Sequence, residues 1–521
     1  MPAQAPNGRI RLAELVAALS LGIDLGFGQP MEHVLRQCLI ALRLAERVGL
    51  DEEARSVVYY TALLTSVGCH SDAHEQAKWF GDDIEMKSHK YDPAFQAGGF
   101  RAAVAGLRSI GAGHPPLHRF RVGLEFLISG HQEVDGMIAR HSRLAKSFAE
   151  QLGLSQAVAN AVGSAYEFWD GRGWPGTLSG AEIPIAARIA SLAEYGEVAH
   201  RVGGVRGLVH FTECGSGKQF DPALCGLVKE HAEGIVEGID SVRAWPRVIE
   251  QEPALAVVLS DDQCDAVLLA IANFIDLKSP YTLGHSAAVA ELAAAAGSSL
   301  GLSAADVRAL RRAGLVHAFG RLGISNSIWD KPGPLGAGEW ERVRMQPYIT
   351  DRMLNQSAAL APLVPIVALY RERLDGSGYP RGLIGASISR PGRILAAADV
   401  YQALLEARPH RGAHPPEEAA RTLRDEARAG KLDHEIVEAV LSAAGHRTRA
   451  RRDGPAGLTA REVEVLRLLA RGLSTKEIAK KLVVSPKTAA NHIEHIYSKI
   501  DAKNRVAASL FAVEHGLLPE G

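Results

Sequence analysis

Two stretches of this 521-residue chain repeat each other at a fixed spacing. The segment HVLRQCLIALRLAERVGL begins at His33 and matches HSAAVAELAAAAGSSLGL, which begins 252 residues later at His285. A second block, EFWDGRGWPGTLSGAEIPIAARIASLAE at 167–194, matches ERLDGSGYPRGLIGASISRPGRILAAAD at 372–399, at an offset of 205. An internal duplication indicates two copies of one folded unit. The smaller second offset predicts an insertion in copy one, at about 70–140.

Both copies have a helical pattern. Alanine, leucine and valine recur at three- and four-residue intervals, whereas alternating β-branched runs are scarce. This periodicity is typical of amphipathic helices. We therefore expect an all-α protein in which two helical-bundle domains, 10–245 and 258–444, follow one another. The basic, Gly- and Pro-containing tract 445–457 predicts a linker to a compact helical domain at 458–518.

Composition excludes several classes of protein. A hydrophobic content of 47%, a charged content of 22% and a net charge of −1 give no overall bias toward nucleic acid or membrane. The first residues lack a basic segment followed by an apolar one, and no long apolar run occurs, which predicts a cytoplasmic protein. The five cysteines are scattered, without a CxxC pair, which indicates reduced thiols. An excess of arginine over lysine and abundant alanine favour a bacterial, actinobacterial-type source.

The C-terminal segment carries three helix starts. They are capping boxes and an N-cap followed by proline, at Thr459 with Glu462, Ser474 with Glu477, and Ser485 with Pro486. The short turn before the third helix gives the spacing of a helix-turn-helix. The third helix has one apolar stripe, which leaves its other face polar and suited to a DNA groove. A small interaction domain with a solvated face is the alternative interpretation.

The run LTAREVEVLRLLARGLSTKEIAKKL and the following SPKTAANHIEHIYSKI resemble the LuxR-type DNA-binding domain, a four-helix helix-turn-helix domain. The resemblance implies double-stranded DNA as a partner. Asparagine can pair with adenine, glutamate can accept from cytosine, and lysine can bind phosphate. The expected DNA-binding residues are Thr475, Lys476, Lys487, Thr488, Asn491, Glu494, Lys499 and Arg505. One departure is Ala489–Ala490 after Thr488, where relatives often have Val-Lys.

Copy two resembles the HD-GYP family over roughly 270–446. The matching segments are SPYTLGHSAAVA, LVHAFGRLGIS, IWDKPGPLGAGEWERV, ERLDGSGYP, RILAAADVYQAL and RPHR. The resemblance implies a metal-dependent phosphodiesterase that opens cyclic dinucleotides. Such chemistry uses closely spaced metal ions, which activate a water and clamp the phosphoryl oxygens. The ions need several imidazole and carboxylate ligands.

Only two of the six ligand positions that the resemblance implies are retained, His317 and Asp399. The others are occupied by Ala318, Gln346, Tyr370 and Arg371. Copy one has lost more, with Thr65, Ser66, Ala165, Tyr166 and Glu194 at its corresponding places. We therefore expect no metal cofactor and no catalytic residue. The alternative is an active phosphohydrolase that binds iron or manganese through His317 and Asp399.

Other polar clusters allow two interpretations each. His70 and His74, near Cys69 and Glu75, could share a metal on one helix face, or they could simply cap helices or face solvent. His33 and His285 lie at apolar helix starts and are expected to be structural. A phosphate-bearing ligand could bind a group of polar residues around LDGSGYP, which are Arg321, Arg373, Asp375, Arg393 and Arg408. The same loop could instead be purely structural, with Asp375 capping a turn.

Together these features predict a transcription regulator. Two degenerate HD-GYP-like domains would sense a small molecule, such as a cyclic dinucleotide, or form a homodimer, and control a LuxR-type DNA reader. The first alternative is an active cyclic-dinucleotide phosphodiesterase fused to a DNA-binding domain. The second is a platform that binds a partner protein. No membrane partner is expected.

Overall fold

A computed structural model describes residues 10–446 and 455–517, apart from 92–109, 112–115, 127–130, 242, 254–256, 483, 503 and 516. The chain divides into two compact units, one ending at His446 and one beginning at Arg447. The described residues are almost entirely helical, which confirms the all-α prediction. Two short strands, β1 (Ile10–Arg11) and β2 (Val258–Leu259), pair antiparallel.

The first unit contains both copies. Copy one contains the helices α1 (Leu12–Gly26), α2 (His33–Val48), α3 (Glu52–Leu64), α4 (Ala73–Phe80), α5 (Asp83–Ser88), α6 (Pro116–Glu125), α7 (His131–Gln151), α8 (Gln156–Gly163), α9 (Ile185–Gly215), α10 (Pro222–Val236) and α11 (Ala244–Glu250). Local signals set several boundaries. Gly49, at φ 79°, ends α2, and the side chain of Asp51 accepts from the backbone of Ala54 to begin α3.

Copy two follows with the helices α12 (Asp261–Asp276), α13 (His285–Ser299), α14 (Ala304–Val316), α15 (Asn326–Trp329), α16 (Ala337–Arg344), α17 (Gln346–Leu354), α18 (Val364–Val367), α19 (Arg390–Leu405), α20 (Pro416–Arg428) and α21 (His434–Ala443). Short 3-10 turns link several of them, including Val67–His70 in copy one and Phe319–Gly323 in copy two. These two turns occupy corresponding places in the repeat.

Helix α1 joins the two copies. Its sequence is apolar on nearly every side, and almost all its residues are buried. A helix that is hydrophobic all round needs neighbours all round. It contacts α2 and α3 of copy one, and the turn Phe319–Gly323 and α17 of copy two. One continuous hydrophobic core therefore runs through both copies.

The second unit has its own core. It contains the helices α22 (Ala460–Ala470), α23 (Thr475–Leu482), α24 (Pro486–Lys499) and α25 (Arg505–Glu514). Most of the predicted linker, and part of the predicted insertion in copy one, lie outside the described residues. Among the helices that are described, none combines the length and apolarity needed to span a bilayer.

Candidate functional site

Three metal-ligating side chains meet at the centre of copy two. His285 begins α13, His317 follows the last residue of α14, and Asp399 lies within α19. Nε2 of His285 lies 3.2 Å from Oδ1 of Asp399, and Nε2 of His317 lies 3.6 Å from the same oxygen. One ligand atom from each residue lies within 4.8 Å of the others, and all three residues are buried. Two imidazoles and one carboxylate at this spacing suit a divalent transition-metal ion.

The His317 imidazole is oriented for such an ion. Its Nδ1 donates to the carbonyl of Gly314 at 2.6 Å, which leaves Nε2 as the unprotonated nitrogen. Within the described part of the chain, Nε2 has no hydrogen-bond partner. Burial lowers the pKa of His317, so the ring is neutral at pH 7. A buried, unpartnered lone pair is what a metal ligand requires, so the residues fit a bound ion.

Asp399 carries the negative charge of this centre. Burial alone would raise the pKa of Asp399, but Arg371 and the two histidines hold it well below its usual range. Nη1 of Arg371 lies 3.0 Å from Oδ2 of Asp399. Burial opposes charge on His285, but its hydrogen bonds with Asp399 and Glu406 raise its pKa. An ion bound here would therefore compete with two protein cations for one carboxylate.

The positions that the resemblance assigns to further ligands are occupied by side chains that bind each other. Ala318 presents a buried methyl group next to His317. The hydroxyl of Tyr370 donates to Oε1 of Gln346 at 2.7 Å, and its ring meets the His317 ring edge-on at a centroid distance of 5.1 Å. Among the described histidine, cysteine and acidic side chains, ligands for one ion converge here, and ligands for a second do not.

A cavity of about 700 Å³ borders this centre, a size suited to a small-molecule ligand. Cations and aromatic rings line it, including Tyr281, Arg321, Trp329, Lys331, Trp340, Arg371, Tyr379, Arg408 and Arg411. Arg321 is buried, and its Nε and Nη1 have no hydrogen-bond partner among the described residues. Its guanidinium lies 5.3 Å from the centroid of the Trp329 ring. Oδ1 of Asp276 lies 3.8 Å from Nη1 of Arg321, beyond hydrogen-bond distance. A desolvated guanidinium whose donors lack hydrogen bonds is a strong binding group for phosphate.

Two of the five residues predicted to bind a phosphate-bearing ligand, Arg321 and Arg408, line this cavity. Burial and the charge of Arg321 lower the pKa of Arg408 to about 10, which leaves it charged at neutral pH. The two guanidiniums therefore repel each other, although Glu406 also pairs with Arg408 at 2.7 Å. A bound anion would relieve the remaining repulsion. The sequence predicted a ligand-binding role for both residues, and in the structure both line the same cavity.

The other three predicted ligand-binding residues lie outside the cavity lining, because local groups engage them. Nη1 of Arg373 donates to a backbone carbonyl of its own loop at 2.9 Å. Asp375 accepts from the backbone and the hydroxyl of Ser377 in an exposed turn, at 3.0 and 2.7 Å. Arg393 pairs with Asp433 at 3.0 Å. These local contacts agree with the interpretation in which the LDGSGYP loop is purely structural.

Copy one places a lysine against the carboxylate that matches Asp399 in the repeat. Oε1 of Glu194 accepts from Lys90 at 2.7 Å, from Ser66 at 2.8 Å and from Tyr91 at 2.9 Å. The Lys90 ammonium also lies 5.2 to 5.8 Å from four ring centroids, those of Phe27, Tyr91, Tyr166 and Tyr195. Cations bind aromatic faces at such distances. A protein ammonium thus neutralises this carboxylate.

The possible metal cluster around His70 and His74 does not form. His70 is buried, and neither ring nitrogen has a hydrogen-bond partner among the described residues. Nδ1 of His74 instead lies 2.8 Å from Oδ2 of Asp330 in copy two. Sγ of Cys69 lies 2.8 Å from the hydroxyl of Tyr166. The side chains point to different partners, so they share no ion.

The second unit contains the expected helix-turn-helix. Thr459 and Glu462 form a capping box at the start of α22, and Gly472, at φ 93°, follows its end. The hydroxyl of Ser485 accepts from the backbone of Thr488 and begins α24. The buried stripe of this helix, Ala489, Ile493 and Ile496, faces the core that α22 and α23 share. The opposite face of α24 is exposed.

That exposed face carries four of the predicted DNA-binding residues, Lys487, Thr488, Asn491 and Glu494. Thr475 and Lys476 lie at the start of α23, half-buried and exposed respectively. The remaining two hold the unit together. Nζ of Lys499 lies 2.7 Å from Oε2 of Glu462, and Nη2 of Arg505 donates to two backbone carbonyls near the end of α22. Their charges are therefore already engaged within the unit.

Comparison with known proteins agrees with both units. The HD domain profile matches residues 131–200 and 270–436, and the profile of bacterial regulatory proteins of the luxR family matches 456–512. The chain is 32% identical over 413 residues to the 3'3'-cGAMP-specific phosphodiesterase 3 of Vibrio cholerae, covering 78% of this chain and 89% of the relative. This chain belongs to the same HD-domain family.

A second relative matches a shorter part of the chain, and a solved structure matches a longer part. The cyclic di-GMP phosphodiesterase response regulator RpfG of Xanthomonas campestris is 32% identical over 205 residues, covering 39% of this chain and 54% of the relative. A crystal structure of a cyclic GMP-AMP specific phosphodiesterase of V. cholerae matches with a TM-score of 0.58 and 27% identity. That match covers 84% of this chain and 99% of the other chain, so the tandem arrangement is common to both.

Membership of the HD-domain family, together with the centre in copy two, corrects one prediction. The expectation of no metal cofactor is wrong, because a third ligand joins His317 and Asp399. That ligand is His285, whose place at an apolar helix start suggested a structural role. The side chain reaches Asp399 from a distance of 114 residues along the chain. No local sequence pattern predicts a contact between residues so far apart.

Sequence reasoning also missed the aromatic part of the cavity. Trp329 and Trp340 lie in the segment IWDKPGPLGAGEWERV, which served only to support the resemblance to HD-domain proteins. Two tryptophans in a stretch rich in proline and glycine are unusual in a linker, and this was the available signal. Lys90 gave no signal, because it lies in the segment that the repeat does not match.

Proposed function

We propose that this protein is a DNA-binding transcription regulator in which copy two binds a cyclic dinucleotide and thereby sets the DNA affinity of the luxR-family unit. The observation that carries the proposal is the ion pair between Arg371 and Asp399, at 3.0 Å, in a cationic cavity of a chain that also has a DNA reader. A fixed cation on the central carboxylate favours holding a phosphate ligand over cleaving it. Copy two then acts as a sensor.

The lining of the cavity supports a ligand with both phosphates and bases. Arg321 and Arg408 supply guanidinium groups suited to phosphoryl oxygens. Tyr281, Trp329 and Trp340 supply aromatic faces on which bases can stack. The named relatives are phosphodiesterases for cyclic dinucleotides, which combine these two features. We therefore assign this ligand class to the cavity.

The metal centre has a supporting part in this proposal. His285, His317 and Asp399 would hold one divalent ion, which would supply Lewis-acid polarisation of a phosphoryl oxygen. The remaining interactions with the ligand come from side chains of the protein. Arg321 and Arg408 orient the phosphates, and Arg371 balances the charge of Asp399. With ligands for one ion, copy two would gain ligand affinity from a bound metal without the second ion of a dinuclear site.

The DNA reader completes the regulator. Asn491 and Glu494 are exposed on one face of α24 and would read base edges, and the exposed Lys487 at its first turn would bind phosphate. We propose that the protein binds DNA as a homodimer. Two helix-turn-helix units then meet half-sites about one helical turn apart.

The test begins with the full chain and fragmented genomic DNA. Bound fragments are sequenced, and the Kd of the best fragment is measured by fluorescence anisotropy with and without 3'3'-cGAMP and cyclic di-GMP. One of the two nucleotides is expected to change the Kd at least tenfold. Arg321→Ala should abolish that response, whereas Arg381→Ala, at a guanidinium that is 57% exposed, should preserve it. A nucleotide that binds without changing DNA affinity would contradict the sensor proposal.

The second candidate function is metal-dependent phosphodiesterase activity. The convergence of His285, His317 and Asp399 is the observation that favours it. The discriminating measurement loads the full chain with manganese, determines the metal content, and follows linearisation of 3'3'-cGAMP by chromatography. Turnover that is lost in Asp399→Asn would support this candidate. Retention of intact nucleotide over many hours, with metal bound, supports the sensor.

A further inference from the structure

A cysteine, a histidine and an aspartate line up inside copy one, away from the ligand cavity. Cys69 lies in the turn Val67–His70, and its Sγ lies 2.8 Å from the hydroxyl of Tyr166. The Tyr166 ring in turn packs against the ring of His141 in α7, at a centroid distance of 6.4 Å. On the other side of His141, the imidazole forms an ion pair with Asp72. The three residues are 8%, 3% and 5% exposed, respectively. The row resembles the arrangement that activates a nucleophilic thiol.

The charges around Cys69 favour its thiolate. Burial alone would raise the pKa of the Cys69 thiol, but the charge and hydrogen bond of His141, with the charge of Lys90, lower it. Burial works against charge on His141, but Cys69 and Asp72 raise its pKa to about 9. The two side chains therefore favour a thiolate–imidazolium pair. Low-pKa cysteines in electropositive surroundings are the reactive ones in proteins.

The other cysteines have different surroundings. Burial raises the pKa of Cys225 and of Cys264 to about 11 each, and it raises the pKa of Cys38 further. The thiol of Cys38 lies 3.7 Å from a backbone carbonyl, with no cation beside it. Cys214 is exposed. Copy one thus contains a buried inert thiol, an exposed thiol and the His141-linked thiol in one molecule, which makes an internal comparison possible.

We propose that Cys69 is a modification site, a thiolate that reacts with hydroperoxides to form a sulfenic acid. The small exposed fraction of Cys69 restricts the reagent to a small, uncharged molecule, and hydrogen peroxide meets this requirement. The site is separate from the proposed dinucleotide cavity and does not depend on it.

The chemistry balances with groups that surround the sulfur. The Cys69 thiolate attacks one peroxide oxygen, the O–O bond breaks, and an S–O bond forms. The departing hydroxide takes the proton of the His141 imidazolium and leaves as water, so the products are sulfenic acid, neutral imidazole and water. The sulfur is oxidised by two electrons, and the peroxide is reduced. The Tyr166 hydroxyl, 2.8 Å from Sγ, is placed to hydrogen-bond the new group.

Oxidation changes the charge balance of copy one. The reaction removes the thiolate and the imidazolium together, and it adds an oxygen atom at a buried position. Lys90, which lies against Glu194, then loses a neighbouring negative charge. The contact between Cys69 and Tyr166 must also widen. The modification therefore alters the packing that surrounds the Lys90–Glu194 ion pair.

The experiment treats the reduced full chain with hydrogen peroxide, quenches with catalase, and unfolds the protein in urea containing dimedone. Mass spectrometry then gives the labelling of each cysteine over time. Cys69 should be oxidised at least tenfold faster than Cys38 or Cys214. His141→Gln should reduce the rate at Cys69 at least tenfold and leave Cys214 unchanged. Labelling of Cys69 at the level of Cys38 would overturn the proposal, as would an unchanged rate in His141→Gln.

A second measurement needs no variant, in case His141→Gln fails to fold. An ordinary thiol loses about tenfold in reactivity for each pH unit below its pKa, whereas a preformed thiolate does not. The ratio of oxidation at Cys69 to that at Cys214 in the wild type should therefore rise at least tenfold from pH 8 to pH 6. A constant ratio would refute the thiolate.

Discussion

The charge of Asp399 can be removed with little change of shape by Asp399→Asn. The carboxylate is completely buried, and it lies 3.0 Å from Arg371, 3.2 Å from His285 and 3.6 Å from His317. The substitution leaves the Arg371 guanidinium without its counter-ion. The His285 imidazole keeps Glu406 as a partner. The main consequence is therefore an unpaired cation within copy two.

The expected cost follows from the burial of both groups. Breaking a buried ion pair by removing one partner costs about 3 to 5 kcal/mol. The side chain of Arg371 is 18% exposed, so some of its charge can be solvated, and we expect about 3 kcal/mol. The double variant Arg371→Met/Asp399→Asn leaves no unpaired charge. We expect a favourable coupling of about 2 kcal/mol between the two substitutions.

The assay is urea unfolding of the full chain with EDTA present, followed by tryptophan fluorescence. Asp375→Asn, in an exposed turn, is the matched control and should stay within about 0.5 kcal/mol of wild type. Excess manganese without EDTA should stabilise the wild type and not Asp399→Asn. Additive effects in the double variant, or an Asp399→Asn protein as stable as wild type, would refute the reasoning.

Three further predictions test other parts of the molecule. Arg371→Met should tighten manganese binding at least tenfold in a calorimetric titration, because it removes the cation that competes for Asp399. The hydrogen bond with Asp330 raises the pKa of His74 above the ordinary value of 6.5. The contribution of protonated His74 to the stability of the fold is therefore complete below pH 6.5 and is lost as the pH rises through the raised pKa. His74→Gln should therefore cost more stability at pH 6 than at pH 9 in urea unfolding. Asn491→Ala should change DNA sequence preference, whereas Lys487→Ala should weaken binding to all sequences and lower the salt slope by about one.

Each of these has a control or a contrary result. Arg381→Met removes an exposed cation from the same loop and should leave manganese affinity unchanged. A His74→Gln protein whose loss of stability is equal at both pH values would contradict the His74 prediction, and His434→Gln, at an exposed helix start, is its control. For the DNA reader, a loss of affinity in Asn491→Ala that is uniform over all sequences would exclude base reading by that residue.

Local signals predicted what is local in this fold. The capping boxes of the C-terminal unit and the stripe of buried residues on α24 follow from short spacings, and the structure forms them as expected. His317 and Asp399 were accessible from the sequence because short motifs surround them. The all-α class followed from helical periodicity over hundreds of residues.

The rest depended on contacts between distant parts of the chain. His285 becomes a ligand because Glu406, 121 residues away, orients its ring. Arg321 and Arg393 are the same residue type near related motifs. Arg393 lies 3.0 Å from Asp433, whereas Arg321 lies 3.8 Å from Asp276 and its Nε and Nη1 have no hydrogen-bond partner among the described residues. Whether a charged side chain is engaged or free is decided by these long-range neighbours. A linear pattern does not contain that information.

The Lys90 ammonium beside Glu194 has a consequence for the life of the protein in a cell. Because Lys90 is part of the chain, its positive charge does not dissociate on dilution and cannot be removed by a metal chelator, as a bound metal ion can. Copy one thus keeps its internal counter-charge when transition metals are scarce.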